Sequence, residues 1–275
     1  MQKSLVIGTG RVGIAITNQL SSLNYKALNI GARAHLDLEK IFQEIRKFDT
    51  IFWCARDAGI PGDETNCEEV FFSLLSALQL KSWQGKFVFF STAGEIYGDS
   101  AFNSNSEESP VNPTSLYGTR KLEHEKELMN LSSKVGFIPL ILRISNIYEL
   151  EINDRGIVGA IMRHLILHEK LTLFNGDQER DFIQLSDVAK IAVTLAEKEC
   201  FSVINIASGS PISILNLVKL FESTLGEKAD PLIIEAFTGS RTANFSTSKM
   251  KSNISHKPIP IELATKSIFP NSSFI

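Results

Sequence analysis

Short apolar runs alternate with amphipathic stretches through the first half of the chain. The runs fall at residues 5–7, 26–30, 50–54, 87–90 and 139–144. A short apolar run bounded by turn residues reads as a strand buried on both faces. Between the runs, residues 12–23, 38–48, 68–80 and 115–131 carry apolar side chains at helical spacing. In the first helix Ile14, Ile16, Leu20 and Leu23 are expected to face inward, and in the second Leu38, Ile41, Phe42 and Ile45. Buried strands alternating with helices predict a parallel sheet in a doubly wound α/β fold.

Past about residue 148 the rhythm loosens. Helices are expected at 157–168, 187–197 and 213–225, and strands at 171–174, 203–207 and 232–237. Residues 203–207 read as a late strand of the same sheet, and the remainder as a smaller lobe over the strand ends. The division predicted is 1–150 for the sheet domain, with returns at about 176–209, and 151–275 mainly for the lobe. Residues 103–110 read as a polar surface loop.

Composition narrows the function class. With 275 residues, 43% of them hydrophobic, the chain can bury a sizeable core. A net charge of -3 gives no footprint for nucleic acid or an anionic membrane, so a small-molecule partner is expected. Cys54, Cys67 and Cys200 are odd in number and widely spaced, which predicts no disulfide framework or zinc site and fits a cytoplasmic location. The N-terminal apolar run is too short for a signal peptide, and no later stretch is long and apolar enough to span a membrane. His164 and His168 stand four apart on a predicted helix, but no clear third ligand accompanies them, and no metal is expected.

Three segments carry chemistry. Gly8-Thr9-Gly10-Arg11-Val12-Gly13 lies between the first strand and the first helix, the context of a dinucleotide fingerprint. Gly8 allows the tight turn, Gly10 lets a pyrophosphate approach the helix N-terminus, and Gly13 lets helix and strand pack closely. The second strand lacks the acidic residue that usually binds the adenosine ribose of NAD. Arg33 and Arg11 lie near enough to hold the 2′-phosphate of NADP, or are solvated surface arginines; the expected cofactor is NAD or NADP, with a slight lean to NADP. Val12 and Asp37 complete the expected cofactor contacts.

The second segment, Phe87-Val-Phe-Phe-Ser91-Thr92, puts hydroxyls at the carboxyl end of a central strand, where ligands sit in open α/β sheets. The third sets Tyr117 and Lys121 one helical turn apart, on one face. An ammonium near a phenol favours the phenolate and equips it as an acid/base. The Thr92 or Ser91 hydroxyl would orient a substrate alcohol or carbonyl. Alone, the pair is better explained by a helix that buries its tyrosine and leaves its lysine in solvent; the glycine turn and the Ser-Thr strand end, in that order, reverse the preference.

Taken together these segments resemble the extended short-chain dehydrogenase/reductases, in particular the nucleotide-sugar epimerase/dehydratase group. The resemblance also rests on Ser91-Thr-Ala-Gly-Glu-Ile-Tyr-Gly98, on Pro113-Thr-Ser-Leu-Tyr117-Gly-Thr-Arg-Lys121, and on Leu142-Arg-Ile-Ser-Asn146-Ile-Tyr148. Arg180-Asp-Phe-Ile-Gln-Leu-Ser-Asp187 and Val203-Ile-Asn-Ile-Ala-Ser-Gly209 extend it. It implies a Rossmann-like sheet with a smaller C-terminal substrate-binding lobe. It implies Tyr117 as acid/base, Lys121 on the nicotinamide ribose, and Asn146, Arg180 and Arg241 reaching a sugar-nucleotide. A homodimer formed through a four-helix contact that includes the Tyr117 helix is also implied.

Three departures shape the expectation. Ala93 stands where many relatives carry the hydroxyl partner, so Thr92 is expected to serve, with Ser91 in reserve. Gly94 replaces the aspartate of the dehydratase Thr-Asp-Glu, leaving only Glu95 and disfavouring water loss. Ile7 holds the first position of the family's usual glycine spacing. The expected activity is epimerisation of a nucleotide sugar by oxidation and re-reduction at a carbon, taken as C4. The alternatives are an NADPH-dependent ketosugar reductase and a non-catalytic NAD(P)-binding sensor.

Overall fold

A computed structural model of the chain describes residues 3–31, 35–55, 67–98, 104–198, 202–235 and 242–268. β1 (Lys3–Ile7) runs through a glycine turn into α1 (Arg11–Ser22). β2 (Lys26–Ile30), α2 (His35–Gln43), β3 (Thr50–Trp53) and α3 (Cys67–Leu80) follow. β4 (Lys86–Thr92) leads directly into the single turn α4 (Ala93–Ile96). The long α5 (Leu116–Val135) starts at Ser115, whose hydroxyl accepts the Gly118 N–H at 3.0 Å, a side-chain N-cap. β5 (Ile138–Ile144) then returns to the sheet.

The second half contributes β6 (Asn146–Tyr148), α6 (Ile157–Leu167), β7 (Thr172–Phe174), β8 (Glu179–Arg180) and β9 (Phe182–Gln184). α7 (Leu185–Ala196), β10 (Ser202–Ile206), β11 (Ile212–Ser213) and α8 (Ile214–Leu225) come next. β12 (Leu232–Ile234), β13 (Thr242–Ala243), α9 (Ser248–Asn253) and α10 (Ile261–Ile268) complete the described chain.

Six strands form one parallel sheet in the order β2-β1-β3-β4-β5-β10. Their side chains alternate between two cores, as a strand's period of two requires. Val6, Phe52, Val88 and Leu140 enter the core shared with α1 and α7. Leu5, Ile51, Phe87 and Ile141 enter the core on the other face, beneath α3. Both faces are therefore dry, which is why these strands read as continuous apolar runs. β10 confirms the expected return of residues 203–207 to the sheet. A third core, with Tyr148, Ile161, Phe182, Leu217 and Phe221, gathers α6 and α8 with the small sheets β7–β12 and β6–β9.

Three expectations need correction. α1 buries Gly13, Ile16 and Leu20, whereas Ile14 and Leu23 are 51% and 46% exposed. The 13/16/20 stripe is one face of a helix, and Ile14 lies off it, on the side that borders the cleft described below. The helix expected through residue 48 ends at Gln43, and a separate 3₁₀ turn (Ile45–Lys47) keeps Ile45 buried. In the loop expected on the surface at 103–110, Asn105 is 2% exposed. Its N–H donates to Asn244 O at 2.9 Å and its carbonyl accepts from Ser246 N at 2.8 Å, so the buried backbone is satisfied.

Candidate active site

β1 and β3 are neighbours, yet β1 continues to one side of the sheet, toward β2, and β3 to the other, toward β4. Such a reversal opens a crevice at the carboxyl ends of the strands. A cleft of about 610 Å³ lies there. Thr9, Gly10, Arg11 and Val12 line one end, and Cys54 and Ala55 after β3 continue the wall. Ser91 and Thr92 of β4, Tyr117 and Lys121 of α5, and Ser145 after β5 line the other end.

The three glycines of the turn do different work. Gly8 has φ +128, and a Cβ there would stand 2.7 Å from the Cys54 carbonyl carbon. A Cβ on Gly13 would come within 1.9 Å of Gly8 O, so strand and helix can meet only through glycine. Gly10 differs: nothing lies within 4 Å of its Cβ position. The fold leaves this space open to the cleft. Gly10 also N-caps α1 without a side-chain hydrogen bond, and no acidic residue occupies the first turn. The first N–H groups of α1 and its positive dipole end are thus available to an anion, and these features fit a dinucleotide's pyrophosphate.

Arg11, expected at a 2′-phosphate, is engaged with carboxylates instead. Its guanidinium pairs with Glu149 at 3.3 Å and, more closely, with Asp154. The Asp154 side chain is fully buried and also accepts N–H bonds from Glu149 (3.3 Å) and Gly156 (3.2 Å). Arg11 therefore straps the glycine turn to the loop after β6, whose Arg155 also lines the cleft. Arg33 and the Asp37 side chain lie outside the described residues. Gly31 follows β2, and a Cβ there would make only ordinary contact with Thr9, at 3.5 Å.

Tyr117 is half-buried and Lys121 is 3% exposed. The Lys121 ammonium donates to Phe90 O at 2.9 Å and stands 4.7 Å from the Phe89 ring centroid and 5.8 Å from that of Tyr117. The sheet end and two aromatic rings thus hold a cation that burial would otherwise penalise. The lysine is not a solvated surface group.

The two hydroxyls at the end of β4 have separate fates. Ser91 donates to Glu125 Oε1 at 2.5 Å. Glu125 in turn takes the Arg143 guanidinium, with Nη2 at 2.7 Å from Oε2, and Arg143 Nη1 donates to the Tyr97 hydroxyl at 3.1 Å. The Tyr97 hydroxyl donates onward to Asn205 Oδ1 at 2.7 Å. Burial works against the Arg143 charge, but the carboxylate of Glu125 outweighs it and holds the arginine's pKa above its usual value. Thr92, half-buried at the start of α4, makes no capping bond and borders the cleft. Glu95 accepts a 2.6 Å bond from the Ser115 hydroxyl, tying α4 to the start of α5.

The expected substrate residues are dispersed. Asn146 donates its side-chain amide to Asp181 O at 2.9 Å and borders a smaller cavity of about 130 Å³ with Tyr148 and Asp154. Arg180, on β8, donates to Glu179 O at 2.9 Å and Gln178 Oε1 at 2.8 Å and does not line the larger cleft. Arg241 lies outside the described residues. Sequence reasoning missed Asp181, which is fully buried and accepts from Ser208, Gly209 and Ser210 N–H groups, folding that turn against β9. It also missed Ile14, Ser145 and Arg155 in the cleft wall. Asking which residue follows the last apolar position of β5 would have found Ser145.

His164 is occupied by local bonds, with Nδ1 at 2.6 Å from Glu169 O and Nε2 accepting Asp230 N–H at 3.2 Å. Among the described residues no group of three metal-binding side chains occurs. Among them too, no helix is long and apolar enough to cross a membrane.

A putative UDP-glucose 4-epimerase of Methanocaldococcus jannaschii is 29% identical over 151 residues, 54% of this chain and 49% of that protein. The chain spans about half the length of the curated relatives it matches. The fold superimposes on a Thermotoga maritima UDP-glucose 4-epimerase solved with UDP-glucose, with TM-score 0.85, 21% identity and 96% of each chain covered. It also superimposes on a Bacillus anthracis dTDP-glucose 4,6-dehydratase solved with NAD, with TM-score 0.82, 20% identity, and 98% of this chain and 96% of that one covered. Residues 5–207 match the profile of the NAD dependent epimerase/dehydratase family, and the chain belongs to that family.

Proposed function

We propose that the protein is an NAD(P)-dependent nucleotide-sugar epimerase that inverts a sugar carbon, C4, of a UDP-type substrate. The observation that carries this reading is the buried Lys121 ammonium set under Tyr117 in the cleft that begins at the α1 N-terminus. Gly10 and the first N–H groups of α1, with Lys121 at the other end of the cleft, would hold a nicotinamide dinucleotide, which would supply reversible hydride acceptance at the sugar carbon. Tyr117 Oη takes the proton of the sugar hydroxyl as it is oxidised and returns a proton when the ketone is reduced from its other face. Lys121 stabilises the phenolate meanwhile. Thr92 Oγ orients the hydroxyl, because Ser91 is committed to Glu125. Asn146, Arg180 and Arg241 are the residues assigned to the sugar-nucleotide in this reading, since a guanidinium suits a diphosphate.

Two observations bear on the alternatives. Dehydration needs an acid beside the tyrosine, and Glu95, the one carboxylate left at that place, is bonded to Ser115. Residues 26–31 carry no acidic side chain to oppose a 2′-phosphate. That favours NADP and keeps a ketosugar reductase as the second reading. A homodimer built on α3 and α5 belongs to the same proposal, and Phe72 and Leu116 are exposed on those helices.

Replacing Tyr117 by Phe tests the reading. The expected result is turnover of UDP-sugars lowered by about 10²–10⁴-fold, with dinucleotide binding retained. Unchanged turnover would remove Tyr117 from the chemistry and this mechanism with it.

A further inference from the structure

A second cavity, of about 700 Å³, lies at the opposite edge of the sheet from the cleft. Thr50, Lys86 and Ile138, the first residues of β3, β4 and β5, border it. β4 runs from this cavity at Lys86 to the cleft at Thr92. The strand is seven residues long, roughly 23 Å, so the two places are separate. Nothing in the proposed reaction uses the second one.

Three cations border it: Arg46 of the 3₁₀ turn, Lys86, and Lys198 beyond the end of α7. Two of them have a structural duty. Arg46 Nε donates to Lys81 O, just past α3, and Lys86 Nζ to Lys198 O, just past α7. Cations suit these carbonyl ends of helices. For Arg46 that duty takes only Nε–H and leaves the terminal amino groups of the guanidinium, a fork that suits a phosphate. Lys198 is exposed, whereas Lys86 is 8% exposed. An anion that approaches Lys86 sheds water, which strengthens the attraction between them.

Two carboxylates border the same cavity, Asp49 and Glu197. Asp49 Oδ2 accepts the Lys3 N–H at 2.8 Å, and Glu197 Oε1 accepts the Tyr25 hydroxyl. The second oxygen of each remains an acceptor for hydroxyl groups. A bare phosphate would be repelled by these carboxylates. A phosphate ester of a polyol matches both signs, with its phosphate on the cations and its hydroxyls on the carboxylates. We infer that this cavity is a second binding site and that its ligand is a sugar phosphate.

The test is calorimetric titration of the full chain with glucose 6-phosphate, inorganic phosphate and glucose. Two variants accompany the wild type: Arg46→Gln/Lys198→Gln, and Gly10→Ala at the anion cradle of the α1 N-terminus. Arg46 and Lys198 are both exposed, so the double variant is expected to stay folded, which a thermal melt checks. Lys198→Glu alone, a single change at an exposed position, should lower the affinity in the same direction. Glucose 6-phosphate is expected to bind the wild type and Gly10→Ala alike, and the double variant at least about tenfold more weakly. It should also bind the wild type more tightly than phosphate or glucose does. No binding to the wild type, or equal binding to the double variant, would overturn the inference. So would an equal loss in Gly10→Ala, which would put the ligand in the cleft. Phosphate bound as tightly as glucose 6-phosphate would remove the role of Asp49 and Glu197, and the sugar phosphate with it.

Discussion

The Ser91 hydroxyl donates a 2.5 Å hydrogen bond to Glu125, inside the buried ion pair that Glu125 makes with Arg143. Both hydroxyls at the end of β4 border the cleft, but Ser91 is thereby tied to the structure while Thr92 makes no capping bond. Ser91→Ala is expected to lower stability by about 1–3 kcal/mol and leave kcat close to wild type. Thr92→Val is expected to leave the melting temperature in place and lower kcat by about 10²-fold, as loss of substrate orientation does. Thermal melts and steady-state kinetics on both variants decide the point. The opposite assignment would make Ser91 the partner of Tyr117.

Gly10 and Gly13 should separate ligand binding from folding in the same way. Gly10→Ala places its Cβ in open space, so its stability cost should stay below about 1 kcal/mol. Dinucleotide affinity should fall by at least about tenfold, equivalent to 1.4 kcal/mol, because that space is the anion cradle. Gly13→Ala drives a Cβ into Gly8 O and should cost about 1–3 kcal/mol or more, since neither backbone can yield without parting helix from strand. Unfolding curves and dinucleotide titrations measure both. Normal affinity in Gly10→Ala would place the pyrophosphate elsewhere.

Much of this was legible because it is local. The Tyr117–Lys121 pair follows from a spacing of four on a helix, and the glycine turn from its place between β1 and α1. What the sequence hid depends on register or on distance along the chain. The strand expected at 87–90 extends to Thr92, and those added residues decide which hydroxyl points at α5. Ile14 looks like a core position by hydropathy but borders a cleft that exists only after the sheet has formed. Arg11 meets Asp154 across 143 positions of sequence, beyond any local pattern. β8, β11 and β13 are two residues each, too short to show a period.

The Arg11–Asp154 strap predicts slow release of the cofactor. It holds Arg11 in the wall of the cleft beside the anion cradle, and on the proposed epimerase reading the recovered dinucleotide need not exchange. Arg11→Gln is expected to raise the dissociation rate of NADH about tenfold with a smaller change in the association rate. Stopped-flow displacement of NADH measures this. An unchanged dissociation rate would limit Arg11 to structure.

Alkaline stability reports the buried network. Burial, partly countered by Arg143 and the hydrogen bonds, pushes the Tyr97 phenol above its ordinary value of 10.0. Burial and the nearby Asp187 push Tyr148 the same way. The unfolded chain ionises its tyrosines first, so the contribution of these groups is complete below about pH 10 and is lost as pH rises beyond it. Urea unfolding from pH 8 to 11 should show falling stability, with a shallower slope in Tyr97→Phe. An identical slope would contradict a raised Tyr97.

The central claim is inversion of a sugar carbon with the cofactor recovered. The direct measurement is incubation of the protein with UDP-, GDP- and dTDP-sugars and substoichiometric NAD⁺ or NADP⁺, followed by proton NMR and mass spectrometry. Epimerisation gives a second anomeric signal from the inverted UDP-sugar, at unchanged mass and with no net consumption of dinucleotide. A product lighter by two hydrogens with NAD(P)H formed, or a product lighter by water, would contradict it.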